Sequence, residues 1–408
     1  MAEPPTSPDA SRAKDAAQRA TATRADALHA LSHTVHAHPE TAWEEHRSVE
    51  IVAAPLAADS RWTLTTKPAG LDTAFTATTG NGPLHIGICA EYDALPGIGH
   101  ACGHNIIAAS AIGAGLALAD VADELGLTVT VFGTPAEEGG GGKIDMLRAG
   151  LFNGVQVAMM VHPSPAEADR MHCLAVSPFD VRYHGRTAHA SAFPQAGINA
   201  ADAITIAQVA LGLLRQHIRP TDRIHGIVTK GGDAPNIVPD HTIYAAYIRA
   251  RTITELEELR PRTDAIFAAA ALATGCTHEI VMHSDSYSEF LDDEDTLALF
   301  RANAEALGRT YPALQKRRLA MQPHDGEHAF SASTDMANVS LVIPSIHPMI
   351  GIDARGASNH QPEFTAACIT ESADKAVLDG AVAMAWTCID LATRPEHRER
   401  ILSGAWPR

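Results

Sequence analysis

Three segments of this chain are apolar and rich in β-branched residues, and each runs straight into titratable side chains. Leu84-His-Ile-Gly-Ile-Cys-Ala90 leads into Glu91-Tyr-Asp93 and then Gly99-His-Ala-Cys-Gly-His-Asn105. Leu127-Thr-Val-Thr-Val-Phe132 leads into Thr134-Pro-Ala-Glu-Glu-Gly139, and Val155-Gln-Val-Ala-Met-Met-Val161 into His162-Pro163. Short apolar runs of this kind are typical of strands covered on both faces. The small-residue stretch Ile106 to Ala119 between the first two predicts a helix, and strand, helix, strand predicts a parallel sheet with right-handed crossovers. In such sheets the ligand site lies beyond the carboxyl ends of the strands. Three strand ends that deliver Cys, His, Glu and His therefore point to one shared site, although each alone is weak.

From about Ser177 the pattern changes. A strand (Phe179 to His184), a helix (Asn199 to Gln216), two strands (Arg223 to Thr229 and His241 to Ala250), a helix (Thr254 to Ala273) and a strand (Thr277 to Met282) make a separate α+β unit of ordinary domain size. The remainder returns to helix and short strand and ends in a long helix from about Ala366 to Leu391. The expected fold class is α/β, a catalytic domain interrupted by a smaller α+β domain. The expected divisions are a disordered 1–23, a first catalytic part over 24–175, an insert over 176–286 and a second catalytic part over 287–408. The first helix is expected from Arg24 to about His36.

The 408 residues are 46% hydrophobic, enough for two or three domains with a sizeable core. The formal charge, 31 − 48 = −17, repels phosphate backbones and anionic lipid, so neither nucleic acid nor a membrane is expected as partner. The run Ile106 to Ala119 stops at Asp120, short of the roughly 20 apolar residues needed to span a bilayer. Met1 to Arg24 is rich in Ala, Pro, Ser and Thr and lacks a signal-peptide core. The six cysteines are scattered without a CxxC pair and read as reduced thiols. These features predict a cytoplasmic protein.

Thiol, imidazole and carboxylate together suit a borderline divalent ion such as Zn²⁺, Mn²⁺, Co²⁺ or Ni²⁺. Cys102 and His104 sit two apart in a glycine-containing turn, so both can face one ion. Glu137-Glu138 offers a ligand next to a free carboxylate, which is what general-base hydrolysis needs. Other chemistries fail on spacing. Gly139 to Lys143 is not a phosphate loop, because Ile144 follows the lysine. Gly113-Ala-Gly115 lacks the third glycine of a dinucleotide fingerprint, and no G-x-S-x-G elbow occurs.

Gly99-His-Ala-Cys-Gly-His-Asn105, Pro135-Ala-Glu-Glu-Gly139 and Gly185-Arg-Thr-Ala-His-Ala190 resemble the M20 metallopeptidases, in particular the amidohydrolase branch of N-acyl amino acid and hippurate hydrolases. The resemblance runs from His38-Pro-Glu40 to Asn359-His-Gln-Pro-Glu-Phe364. Ser333-Thr-Asp-Met-Ala-Asn-Val-Ser340 and Pro344-Ser-Ile-His-Pro348 look like the p-aminobenzoyl-glutamate hydrolase and β-alanyl-lysine dipeptidase group.

This resemblance implies a zinc-exopeptidase-like catalytic domain and a lid and dimerisation domain. It implies metal ligands at Cys102, His104, Glu138, His162 and His360 and a general base at Glu137. His189 resembles a lid histidine that helps hold the oxyanion in the partner subunit's site, and Asn236 and Arg249 resemble groups that hold a substrate carboxylate. Two departures stand out. Glu91-Tyr-Asp93 occupies the place of the His-x-Asp of peptidase members, with Asp93 left to orient a ligand from behind. Asn105 replaces an aspartate, which removes a charge from the second metal position, so one or two ions are expected per subunit. The resulting expectation is a homodimeric, metal-dependent amidohydrolase in which Glu137 activates a water against the amide of an N-acyl amino acid or small dipeptide with a free carboxylate. The alternatives are an aminoacyl-dipeptidase for β-alanyl-lysine-like substrates and, more remotely, a non-catalytic metal-binding or scaffold protein, against which the retained Glu137 argues.

Overall fold

The computed structural model describes residues 9–311, 331–404 and 406. The chain divides into two compact units, Met1–His172 with Phe290–Arg408, and Cys173–Glu289, against an expected insert of 176–286. It opens with α1 (Ala10–Thr23), α2 (Ala25–Ala37), α3 (His46–Ala57), β1 (Thr63–Thr66), β2 (Phe75–Gly80) and β3 (Leu84–Glu91). Then come α4 (His104–Ala119), α5 (Ala122–Leu125), β4 (Leu127–Thr134), α6 (Gly142–Arg148), β5 (Val157–Met159), β6 (His162–Ser164) and β7 (His172–Cys173). The insert holds β8 (Ala175–His184), α7 (Ala200–Leu214), β9 (Arg223–Lys230), β10 (His241–Ala250), α8 (Ile253–Thr274) and β11 (Thr277–Met282). The return segment holds α9 (Glu294–Ala306), β12 (Ser331–Ala332), α10 (Met336–Ser340), β13 (Ser345–Ile346), β14 (Met349–Gly351), α11 (Pro362–Ala367), α12 (Glu371–Thr393) and α13 (Pro395–Leu402).

The sheet of the larger unit has the order β1-β2-β4-β3-β5-β13. Strands β4, β3, β5 and β13 run parallel, with Ile86 opposite Val129, Ile88 opposite both Val131 and Met159, and Glu91 opposite Thr134. Their apolar residues are fully buried because helices cover the sheet. α4 is buried almost all round and packs on α12 as well as on β3. By length and composition α12 is apolar enough to cross a membrane, but most of it lies in the core of this unit. Strands β1 and β2 add an antiparallel edge that the sequence reading misses, since Thr63-Leu-Thr-Thr66 and Phe75-Thr-Ala-Thr-Thr-Gly80 carry few large apolar residues.

The expectation of a disordered 1–23 is corrected for residues 9–23; the first eight lie outside the described residues. Asp9 caps α1 by accepting the N–H groups of Ser11 (3.0 Å) and Arg12 (3.2 Å). Ala13, Ala17 and Ala20 form its buried face. The Lys14 ammonium meets Asp390 at 2.7 Å, and Trp386 Nε1–H donates to the Lys14 carbonyl at 2.9 Å. A face built from small residues, these alanines and Thr21, lacks the large apolar residues that signal a packed helix, so composition misled.

In the insert a four-stranded antiparallel sheet, ordered β11-β8-β10-β9, carries α7 and α8 on one face. Phe179, Val181 and Tyr183 from β8, Tyr244, Ala246 and Ile248 from β10, and Phe267 from α8 fill its core. Strand β9 is an edge.

Candidate metal centre

β3 ends at Glu91, and the chain turns through Asp93 to Cys102, Gly103 and His104, the first residue of α4. Gly103 has φ 75°, and a Cβ there would stand 2.5 Å from Pro163 Cγ, so only glycine brings Cys102 and His104 round together. β4 ends at Thr134 and is followed by Ala136 at φ 58°. This left-handed conformation costs an alanine about 1 kcal/mol. Hydrogen bonds offset it: Ala136 N–H donates to the buried Glu45 (2.8 Å), and its carbonyl accepts from Gly140 (2.9 Å) and Gly141 (2.7 Å). The turn presents Glu137 and Glu138. His162 opens β6, and His360, also left-handed at φ 69°, is held by its N–H to the Ala101 carbonyl at 3.0 Å.

Donor atoms of Cys102, His104 and His162 lie within 4.8 Å of one another, as do those of Cys102, Glu138 and His360, and those of Glu91, His104 and Glu137. Hydrogen bonds assign the tautomers. His104 Nδ1–H donates to Asp93 Oδ1 (3.0 Å), and His162 Nδ1–H to the Pro163 carbonyl (2.8 Å), which leaves both Nε2 atoms as ligand lone pairs. His104 Nε2 is buried without a hydrogen-bond partner, 3.5 Å from Glu91 and 3.8 Å from both Glu137 and Glu138. Asp93 Oδ2 accepts the Glu138 N–H at 2.9 Å, so this one carboxylate aligns two of the candidate ligands. His360 is the exposed member, 3.9 Å from Glu138.

The electrostatics fit a dication. Burial and the charges of Glu91 and Glu138 push the Glu137 carboxyl well above its usual range, and burial and Glu138 do the same to the Cys102 thiol. Burial pushes His162 down to about 3, so its imidazole is neutral and free to offer a lone pair. A thiol, imidazoles and clustered carboxylates around one partnerless nitrogen match the donor set of a Zn²⁺-like ion, whose charge deprotonates the thiol. Cys102, His104, Glu138, His162 and His360 would hold it, and Glu137 stands beside them.

Several residues here are ones that the sequence reading leaves out or reads otherwise. Lys143 is fully buried, its ammonium 2.6 Å from Glu91 Oε1 and 2.7 Å from Asp335 Oδ1, and its N–H donates to Asp335 Oδ2 at 2.8 Å. His347 follows β13, 1% exposed, with both ring nitrogens unpartnered and its ring 5.5 Å from that of His162. Burial lowers its pKa to about 4, so it too is neutral. Asn105 turns away from the donor groups: its amide donates to Ser32 Oγ (2.8 Å) and the Cys368 carbonyl (3.0 Å).

The remaining candidates belong to the insert. His189 and Asn236 are exposed and joined through the backbone, Ala190 N–H to the Asn236 carbonyl at 3.0 Å. His189 Nδ1 accepts the Ala192 N–H at 3.2 Å, which places the proton of the neutral ring on Nε2. Arg249 on β10 is half-buried over Tyr247, and its Nε–H donates to His225 Nε2 at 3.4 Å. Alternation alone does not separate it from Arg251, but Arg251 is tied to Glu255.

The sequence pattern of peptidase family M20/M25/M40 matches residues 87–376. The chain belongs to this family. It is 37% identical over 399 residues to the Xaa-Arg dipeptidase of Mus musculus, covering 92% of this chain and 88% of that one. It is 34% identical to one of the chains of the p-aminobenzoyl-glutamate hydrolase of Escherichia coli K12, over 59% of this chain and 54% of that one. Among solved structures, a putative aminohydrolase from methicillin-resistant Staphylococcus aureus has a TM-score of 0.72 at 18% identity, covering 92% of this chain and 99% of that one. Bacillus subtilis YXEP, a dinuclear metal-binding M20 peptidase, has a TM-score of 0.65 at 19% identity, covering 90% and 98%. The chain is an amide-bond hydrolase of a metal-binding family, with the α/β catalytic fold of that family.

Proposed function

We propose that this enzyme is a dipeptidase that releases a basic amino acid, arginine or lysine, from a small dipeptide. The observation that carries this reading is the 37% identity to the Xaa-Arg dipeptidase along nearly the whole of both chains. The −17 formal charge agrees with a cationic substrate. The second reading, cleavage of N-acyl amino acids such as p-aminobenzoyl-glutamate, draws on a relative matched over a shorter span.

In this reading one or two divalent ions, Zn²⁺ or Mn²⁺ with Co²⁺ and Ni²⁺ as substitutes, sit among Cys102, His104, Glu138, His162 and His360. A bound ion supplies Lewis acidity toward the amide carbonyl and acidifies a water. Glu137 takes the proton of the attacking water and delivers it to the leaving amine. Asp93 orients His104 and Glu138. His189 Nε2–H donates to the developing oxyanion in the site of the second copy, and Asn236 and Arg249 hold the substrate carboxylate, Arg249 through its planar fork.

A homodimer belongs to the same reading. The insert exposes Ile206, Val209 and Leu213 along α7 and Ile227 and Val228 on the edge strand β9, an apolar surface suited to a second copy. Light scattering should give twice the chain mass. The scattered cysteines, with no CxxC pair, support a reducing, cytoplasmic setting.

The test is a substrate panel of Xaa-Arg, Xaa-Lys, p-aminobenzoyl-glutamate and N-acetyl amino acids with Zn²⁺- or Mn²⁺-loaded protein, read by mass spectrometry. Release of arginine or lysine with kcat/KM at least about tenfold above that for p-aminobenzoyl-glutamate is expected. The reverse order would establish the second reading.

A further inference from the structure

Lys143 is fully buried, and the reaction described above gives it no task. It is the second residue of α6 and follows directly on Glu137, Glu138 and the glycines after them. Its ammonium joins Glu91 at the end of β3 to Asp335 at the start of α10, and its N–H adds a further bond to Asp335. One side chain thereby pins three elements that converge on the donor groups.

Stability does not account for it. Burying one ammonium and two carboxylates carries a desolvation penalty that apolar residues of similar volume would avoid. Burial opposes the Lys143 charge, yet Asp335 and Glu91 outweigh it and hold the ammonium protonated well above the ordinary lysine range. What distinguishes the network is its neighbour. Glu91 Oε1 is engaged by Lys143, while Oε2 faces His104 Nε2 at 3.5 Å, and Glu91 groups with His104 and Glu137 but not with Cys102 or His162. A glutamate free to turn at this point would bind a nearby cation through both oxygens. One whose oxygen is held by an ammonium has a single rotamer and a partly neutralised charge.

We propose that Lys143 is a positioning residue of the metal centre: by tethering Glu91 to Asp335, it holds Glu91 beside the ion as a fixed charge and out of its ligand set. This rests on the metal centre proposed above. The tether leaves the ion to the donors around Cys102 and keeps Glu91 from occupying the position that substrate and water need.

The test uses the full chain loaded with Co²⁺, whose visible absorption reports ligand number. Glu91→Gln should keep the wild-type cobalt equivalents and band positions, while kcat falls about tenfold and KM stays within about twofold. Lys143→Met frees Glu91, so its bands should weaken and shift as a carboxylate oxygen joins the ion. Adding Glu91→Gln to Lys143→Met should restore the wild-type bands. Loss of a cobalt equivalent or a band shift in Glu91→Gln would show that Glu91 is a ligand and overturn the proposal. Wild-type bands in a folded Lys143→Met protein would overturn it as well. If Lys143→Met does not fold, Glu91→Gln decides alone. A wild-type protein that takes up no Co²⁺ would overturn the centre itself and this proposal with it, an outcome distinct from the other two.

Discussion

In the larger unit Glu91, Asp93, His104, Glu137 and Lys143 are all buried, and each meets an opposite charge or a candidate ligand inside that unit. In the insert His189 and Asn236 are exposed and Arg249 is half-buried, and their contacts are to backbone and to neighbours on their own sheet and loops. Buried ionisable groups are held only where charge is balanced, so those of the larger unit report on an ion and on the reaction it supports. Exposed groups carry no such penalty before substrate arrives, so in the proposed reaction those of the insert act on the substrate and its oxyanion and not on the ion. The two sets should therefore fail differently when altered.

The largest expected effect is at Cys102, which like His104 belongs to two of the three donor groups. Cys102→Ala should lose most of its bound metal and lower kcat/KM by more than about 10³-fold; metal analysis alongside the assay checks both, and full metal content with wild-type turnover would break the contrast. Next is His189→Ala, expected to lower kcat by about 10²-fold, the size of one lost oxyanion donor, with metal content unchanged. Arg249→Lys should come third, raising KM about tenfold with little change in kcat, because an ammonium cannot reproduce the two-pronged grip on a carboxylate. A fall in kcat alone would move Arg249 from holding the substrate to acting in the transition state.

The smallest effect concerns stability. Burial, with the charges of His104 and His36, lowers the His100 pKa from 6.5 to about 3. Because the folded-state value lies below the unfolded one, this contribution is full above pH 6.5 and is lost as pH falls toward 3. The slope is up to about 1.4 kcal/mol per pH unit. Metal-free His100→Phe should lose less melting temperature between pH 6.5 and 4.5 than the metal-free parent protein.

The parallel core and the strand-end chemistry are legible in the sequence because apolar runs and the residues after them are contiguous: β3 with Asp93 to His104, β4 with Glu137-Glu138, and β5 with His162. The contacts that depend on distant segments are not. Lys143 looks like the remnant of a phosphate loop until Asp335, 192 residues on, is seen against it. His347 lies in a motif quoted for the resemblance, yet nothing local marks it as facing His162. α1 hides behind a face of small residues, and β1 and β2 behind threonines.

The proposed reaction depends above all on Glu137 being the proton carrier beside the metal ligands and not itself one of them. Glu137→Gln, loaded with Zn²⁺ or Mn²⁺ and assayed on the best dipeptide of the panel, separates the two roles. Wild-type metal stoichiometry, an unchanged KM and a kcat lowered by about 10³-fold or more are expected of a proton carrier. Lost metal in Glu137→Gln, or turnover within about tenfold of the parent enzyme, would contradict that role.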